Sequence, residues 1–428
     1  MLVQAVTPAA QYPAAGLDAA TEHANNASSR LTQKSVRFAD VFAGLATIVL
    51  RLIKGRAGRA CPQEVPGRGT AGPMRGSIVM TSLAGILRRA GLCLVLAAIL
   101  LTASPVCGGV GAEVRALTGG RTRVVWVRDL DKGTDLFATS DKFRLMCLDS
   151  DDGAGERELV PGPGSFHRPT ITPDGAHVIY TNYLTQMMYV VNWDGSGRRE
   201  LGPGTAIAAW TDPQTGVEWI YAQTGKFTGT ESRYNPVRRF RLDDPRASET
   251  VWDRTPVNPE GFGVASDGKR VVSLFPWPHV GVATFPNESF VELGQGCCAS
   301  LAPGAAEYAF NLLGDHRNLV MYALATGAKW KVTLSIAPGV DGFEIYHPKW
   351  TNRVRYLVMC GPFKGDVGST ADIYLGRFDG NLKAVEAWVR VTSDDKGDFY
   401  PDAWIAPAAP QTVKFTLSGN MVNVPSAE

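Results

Sequence analysis

The chain has 428 residues, 45% of them hydrophobic, and a formal net charge of +2. That length holds one large all-β domain or two medium ones with ample material for a core, and the near-neutral balance excludes a nucleic-acid partner recruited by bulk charge. The 46 glycines and 27 prolines suit many short strands joined by tight turns.

Residues 1–79 read as a leader. Over 1–73 there is no sustained hydrophobic period, and Ala, Gly, Arg and small polar residues dominate. Such a stretch buries too little apolar surface to offset the entropy of ordering it, so it is expected to be disordered or to lie upstream of the true start codon. Residues 80–112 read as a secretory signal. Arg88 and Arg89 supply a positive n-region, Leu92 to Leu101 (LCLVLAAILL) an apolar run, and Val110-Gly111-Ala112 a small-residue cleavage site. The run falls short of the roughly 20 residues a bilayer span needs. The expectation is an exported protein, periplasmic or extracellular, that begins near Glu113 and keeps no membrane span. Cys147, Cys297, Cys298 and Cys360 remain beyond that point. Their spacing matches no zinc motif; they read as free thiols, with export permitting a bridge.

The region 113–405 is built on a repeat. Its clearest copy is HRPTITPDGAHVIYTNYLTQMMYVVNWDGSGRREL, from His167 to Leu201. Thr172-Pro173-Asp174-Gly175 is a tight turn, His177 to Asn182 a second strand, Met187 to Asn192 a third, and Asp194-Gly195 a hairpin turn before a fourth, edge strand at Arg198 to Leu201. Asp-Gly between β-rich runs signals a hairpin because glycine accepts the positive φ. Similar units begin near Ile207, Phe262, Cys298 and Tyr346. At the start of the region, Arg123 to Asp129 (RVVWVRD) is a second strand without a first. At its end, Phe399 to Trp404 is a first strand without a second. Ring closure pairs them, removes the open sheet edge, and makes six blades of four strands. Trp350 and Trp404 are assigned to the packing between blades, and 406–428 to a C-terminal tail.

The TPDG turn, the aromatic second strand and the third strand leading to Asp-Gly resemble the WD40-like repeat of TolB-type propellers, over about 285 residues from Arg123 to Trp404. The resemblance implies an all-β, six-bladed β-propeller closed by the C-terminal strand. The α/β domain that precedes the propeller in that family has no counterpart between the signal and the first blade. Fold alone implies no activity, because propellers host many functions.

Strand alternation puts the turns between first and second, and third and fourth, strands on one face; these are tight. The other face carries the longer loops, among them 222–236 and 361–371, and the starts of the inner strands around the axial channel. Long, diverse loops on a rigid scaffold are where binding sits. The candidate ligand-binding residues there are His167, Arg168, Glu260, His316, Arg317, Glu344, His347, Tyr400 and Asp402, with Cys297, Cys298 and Asp398 beside them. Histidines and carboxylates converging on one mouth can hold a divalent metal or an anionic ligand; His167, His316 and His347 are the metal candidates. His347, placed toward the channel, is expected to be replaceable by alanine with little loss of stability.

No nucleophile elbow, His-Glu-x-x-His or phosphate loop is present, and no acid/base pair stands out. The favoured reading is a non-catalytic binding or scaffold propeller engaging an envelope or extracellular protein or a polysaccharide on its long-loop face. The alternative, implied by the resemblance, is a metal-dependent polysaccharide lyase-like or hydrolytic enzyme with its site at the channel mouth. Those lyases have seven blades against the six counted here.

Overall fold

The computed structural model describes residues 109–131, 133–223, 236–305, 307–365, 367–368 and 370–407, and the backbone of 412–417 and 420–425. Six four-stranded antiparallel sheets form the blades. Their inner strands are Gly397–Ile405 in blade one, His167–Ile171 in blade two, Thr205–Thr211 in blade three, Asn258–Val264 in blade four, Cys297–Leu301 in blade five and Glu344–Trp350 in blade six. The ring closes as the repeat requires. Gly397–Ile405 pairs antiparallel with Thr122–Asp129, in a register running from Thr122 opposite Ile405 to Asp129 opposite Gly397. Strands that begin and end the repeat thus share a sheet, and Thr122–Asp129 is paired on both sides.

The second strands explain the continuous apolar runs. Val124, Val125, Trp126 and Val127 are all fully buried, because a blade is covered on both faces by its neighbours and alternation is not required. Outer strands behave differently: most of Asp244–Trp252 is exposed before Val251 and Trp252 turn into the core.

Two tryptophans staple neighbouring blades in the same way. Trp404 Nε1 donates to the Pro173 carbonyl at 2.9 Å, and its ring lies over Gly175, where a Cβ would come within 2.6 Å of it. Trp210 Nε1 donates to the Ser266 carbonyl at 3.1 Å, and its ring lies over Gly268, at 2.5 Å from an added Cβ. Both glycines have positive φ. The Asp-Gly turn is therefore demanded twice, by its own conformation and by the indole above it. Trp350 packs instead between Phe310 and Phe378, at ring distances of 4.6 and 6.0 Å.

A helix, Val110–Thr118, precedes the first blade and ends at Gly119 with φ 74°. It buries Val114 and lays Val110 and Leu117 against the core of blades one, two and six. Arg377 Nη1 and Tyr356 Oη donate to the Leu117 carbonyl, each at 3.3 Å. The expected cleavage position at Val110 to Ala112 falls within the first turn of this helix. At the other end, Thr412–Leu417 and Asn420–Pro425 pair with each other as a hairpin separate from the blades, where the sequence suggested only a tail.

Of the two long loops, 224–235 lies outside the described residues. The other is shorter than expected, since Gly361 to Phe363 complete the strand Tyr356–Phe363. Cys147, Cys298 and Cys360 are buried thiols and Cys297 is half-buried; none forms a disulfide.

Candidate functional site

Every inner strand is bulged at the same level. The register against the neighbouring strand slips between His167 and Thr170, Ala206 and Ala208, Asn258 and Gly263, Cys297 and Ser300, and Tyr346 and Lys349, and in blade one opposite Val125 and Val127. A bulge holds an extra residue that is free of the ladder and turned off the pleat. Those residues are Arg168, Ile207, Gly261, Cys298, His347 and Tyr400, and together they line an axial cavity of about 80 Å³. Four are non-glycine residues in the left-handed region: Arg168 at φ 52°, Cys298 at 49°, His347 at 52° and Tyr400 at 51°. That conformation costs an L-residue roughly 1–2 kcal/mol, and here it recurs around a ring.

The ring is cross-braced. Arg168 Nη2 reaches Glu260 Oε1 at 3.0 Å, from blade two to blade four, and Nη1 donates to the Pro259 carbonyl. The guanidinium carbon sits 5.3 Å from the centre of the Tyr400 ring, and Tyr400 Oη donates to Glu260 at 3.4 Å. His347 stacks on Tyr400 with ring centres 3.8 Å apart, and its Nδ1 is 3.5 Å from Cys360 Sγ. Behind Arg168, His167 Nδ1 donates to the Phe137 carbonyl at 2.9 Å and Nε2 accepts from Arg168 Nε at 3.0 Å. Those partners require the neutral Nδ1–H tautomer.

Electrostatics follow from burial and from one cation. Burial and the Arg168 charge hold His167 well below the usual histidine range. Burial, then Arg168 and His316, bring His347 down to about 3. Tyr400 is pushed well above the phenol range by burial and by Glu260. Near neutral pH the cavity wall therefore presents one neutral imidazole, His347, a protonated phenol and an arginine already engaged by a carboxylate, with the neutral His167 ring behind that arginine.

The structure brings together His167, Arg168, Glu260, Cys298, His347 and Tyr400. Asp402 belongs to a buckle rather than the mouth: its Oδ2 accepts from the Ile171 amide at 2.8 Å and from Lys349 Nζ at 3.1 Å, tying blades one, two and six. Asp398 is fully buried, accepting from Trp126 Nε1 at 3.0 Å and Arg128 Nε at 2.8 Å. His316 and Glu344 pair at 3.4 Å in a separate cluster under the Tyr346 ring, and Arg317 Nε donates to the Gly342 carbonyl at 2.7 Å; neither His316, Arg317 nor Glu344 lines the cavity. The metal assignment to His167, His316 and His347 is thus corrected. Both nitrogens of His167 are committed, His316 lies off the cavity, and the single group of three ligand-type side chains whose donor atoms fall within 4.8 Å among the described residues is elsewhere.

Ile207, Phe262, Ser300 and Lys349 also line the cavity and were missed by the sequence reading. The X-Pro pairs Arg168-Pro169, His347-Pro348 and Tyr400-Pro401 mark this level of the repeat, and position relative to them is the signal that Lys349 offered; Ile207, Phe262 and Ser300 carry none.

These features define a six-bladed propeller with a braced axial cavity whose lining charges are paired. No protein-family profile and no curated protein sequence matches the chain. Solved structures do. TolB from Acinetobacter baumannii is 14% identical, over 68% of this chain and 69% of its own, with a TM-score of 0.47. Hydrazine synthase of Kuenenia stuttgartiensis is 12% identical, over 69% and 48%, with a TM-score of 0.44. A puromycin-hydrolyzing peptidase of Mycobacterium tuberculosis is 17% identical, over 60% and 42%, with a TM-score of 0.37. This chain therefore spans less than half the length of the last two. The propeller resembles TolB in fold, as the repeat implied, and at such identities the likeness concerns fold alone.

Proposed function

We propose that this chain is an exported binding propeller that receives a small polar group of a protein or polysaccharide ligand at the channel mouth on its long-loop face. The observation that carries the reading is the ring of four left-handed, non-glycine residues around one cavity. Strain of that kind persists where surrounding structure over-determines it, and it gathers at ligand sites. A cavity of about 80 Å³ admits a few waters or the end of a side chain, not a whole sugar. The occupant is thus the tip of a larger ligand. A carboxylate suits it, because it can replace Glu260 on the Arg168 fork with little change of charge. Export rests on the apolar run and its flanking arginines; among the described residues no helix is long and apolar enough to cross a membrane.

The test is site-directed photocrosslinking in the native host. A photoreactive residue at Phe343, exposed beside the start of the blade-six inner strand, should capture a partner that Arg168→Ala abolishes. The same residue at Thr215, on the tight-turn face, should not. Equal capture from both faces, or capture indifferent to Arg168→Ala, sinks the reading. Export is checked separately: an N-terminus of the exported chain within residues 1–73 contradicts it.

A further inference from the structure

On the tight-turn face, away from the channel mouth, blades two and three place three ligand-type side chains together. Asp174 comes from the Thr172–Gly175 turn, His177 begins the strand His177–Asn182, and Glu218 begins the strand Glu218–Gln223. Their donor atoms all lie within 4.8 Å of one another. The turn itself aims one of them. Thr172 Oγ1, at 2.6 Å, and the Ala176 amide, at 2.8 Å, both donate to Asp174 Oδ1, which holds the carboxylate in place and leaves Oδ2 outside these two bonds.

A second observation is independent of that proximity. His177 Nδ1 and Glu218 Oε1 are buried atoms without a hydrogen-bond partner, and so is Thr211 Oγ1. Thr211 stands directly opposite Glu218 in the register, so the two side chains share a sheet face. Buried polar atoms are seldom left unsatisfied in a folded chain, and three belong to residues gathered here.

We propose that Asp174, His177 and Glu218 form a binding site for one divalent transition-metal ion of the zinc or manganese type, bridging blades two and three. One imidazole with two carboxylates is a mixed nitrogen–oxygen set, which suits Zn²⁺ or Mn²⁺ better than Ca²⁺ or Mg²⁺. Metal–donor distances of about 2.0–2.2 Å put the donors of one ion roughly 3–3.5 Å apart, within small rotamer adjustments of the separations present. The site is distinct from the channel-mouth reading and stands or falls without it.

The experiment uses the full chain, stripped with chelator and dialysed against roughly micromolar Zn²⁺ or Mn²⁺, with bound metal counted by mass spectrometry. One ion per chain is expected, together with a higher melting temperature. Glu218→Gln should weaken binding at least about tenfold, and Asp174→Asn, which keeps the turn's hydrogen bonds, should do the same. Pulsed EPR of the Mn²⁺ form should show a single imidazole nitrogen, a readout that needs no variant to fold. No stoichiometric metal (an ordered water only), binding that both variants leave intact, or a Mn²⁺ signal without nitrogen coupling each overturns the proposal.

Discussion

At the scale of single residues, burial separates side chains that a linear reading treats alike. His347 does face the channel, but it is buried, stacked on Tyr400 and set against Cys360. The expectation that its loss would leave stability unchanged therefore gives way. His347→Ala should cost about 1–3 kcal/mol, and Trp350→Ala about 3–5, in the range for truncating buried side chains; urea titration of both variants checks the order. Glycine gives a finer test. Gly153 and Gly175 share a positive φ, but a Cβ at Gly153 meets nothing within 4 Å, whereas at Gly175 it strikes the Trp404 ring. Gly153→Ala should cost about 1 kcal/mol from backbone strain. Gly175→Ala should cost clearly more, since the staple between blades one and two must also shift. Equal midpoints for the two variants would show that the indole yields freely.

At the scale of elements, the inner strand of blade one is the part on which closure depends. Deleting Phe399 to Trp404 removes the partner of Thr122–Asp129 and the Trp404 staple, and exposes the flank of Thr122–Asp129 as a new sheet edge. The expected result is loss of cooperative unfolding in calorimetry, with aggregation. Ending the chain at residue 410 removes the separate hairpin and should leave the unfolding free energy within about 0.5 kcal/mol of the full chain's. A deletion variant that melts like the parent would mean the ring closes some other way.

At the scale of the whole molecule, the buried imidazoles withdraw stability as the pH falls. In the folded chain His347 titrates at about 3, against about 6.5 when unfolded. As pH falls, the unfolded chain takes up the proton first. The contribution is therefore present above about 6.5 and is lost progressively down to about 3, by about 2 kcal/mol at pH 5. His167 shifts in the same direction and adds to it. His347→Phe keeps a ring on Tyr400 but cannot titrate, so the stability difference between pH 7 and pH 5 should shrink by about 2 kcal/mol. An unchanged difference in urea midpoints counts against this assignment.

The sequence by itself determined the six blades, the order of strands within each and the closure by Phe399 to Trp404. Those features are written in local chemistry: Asp-Gly turns, apolar runs of strand length, and a first and a second strand each lacking its partner. It also placed Arg168, Glu260, His347 and Tyr400 at one mouth, because strand alternation alone decides which loops share a face. Only the tertiary structure decided which of the candidates meet. His316, Arg317 and Glu344 bond among themselves and their neighbouring loops, while Asp402 turns into the joint between blades and Asp398 into the interior of blade one. The bulges explain which inner-strand side chains reach the cavity: a slip of one residue in five blades, and of three in blade four, turns one side chain off the pleat toward the axis. The carboxylate of Glu218 and the imidazole of His177 are 41 positions apart in the chain, on separate blades. Their meeting depends on the angle between two sheets, a quantity that no local pattern encodes.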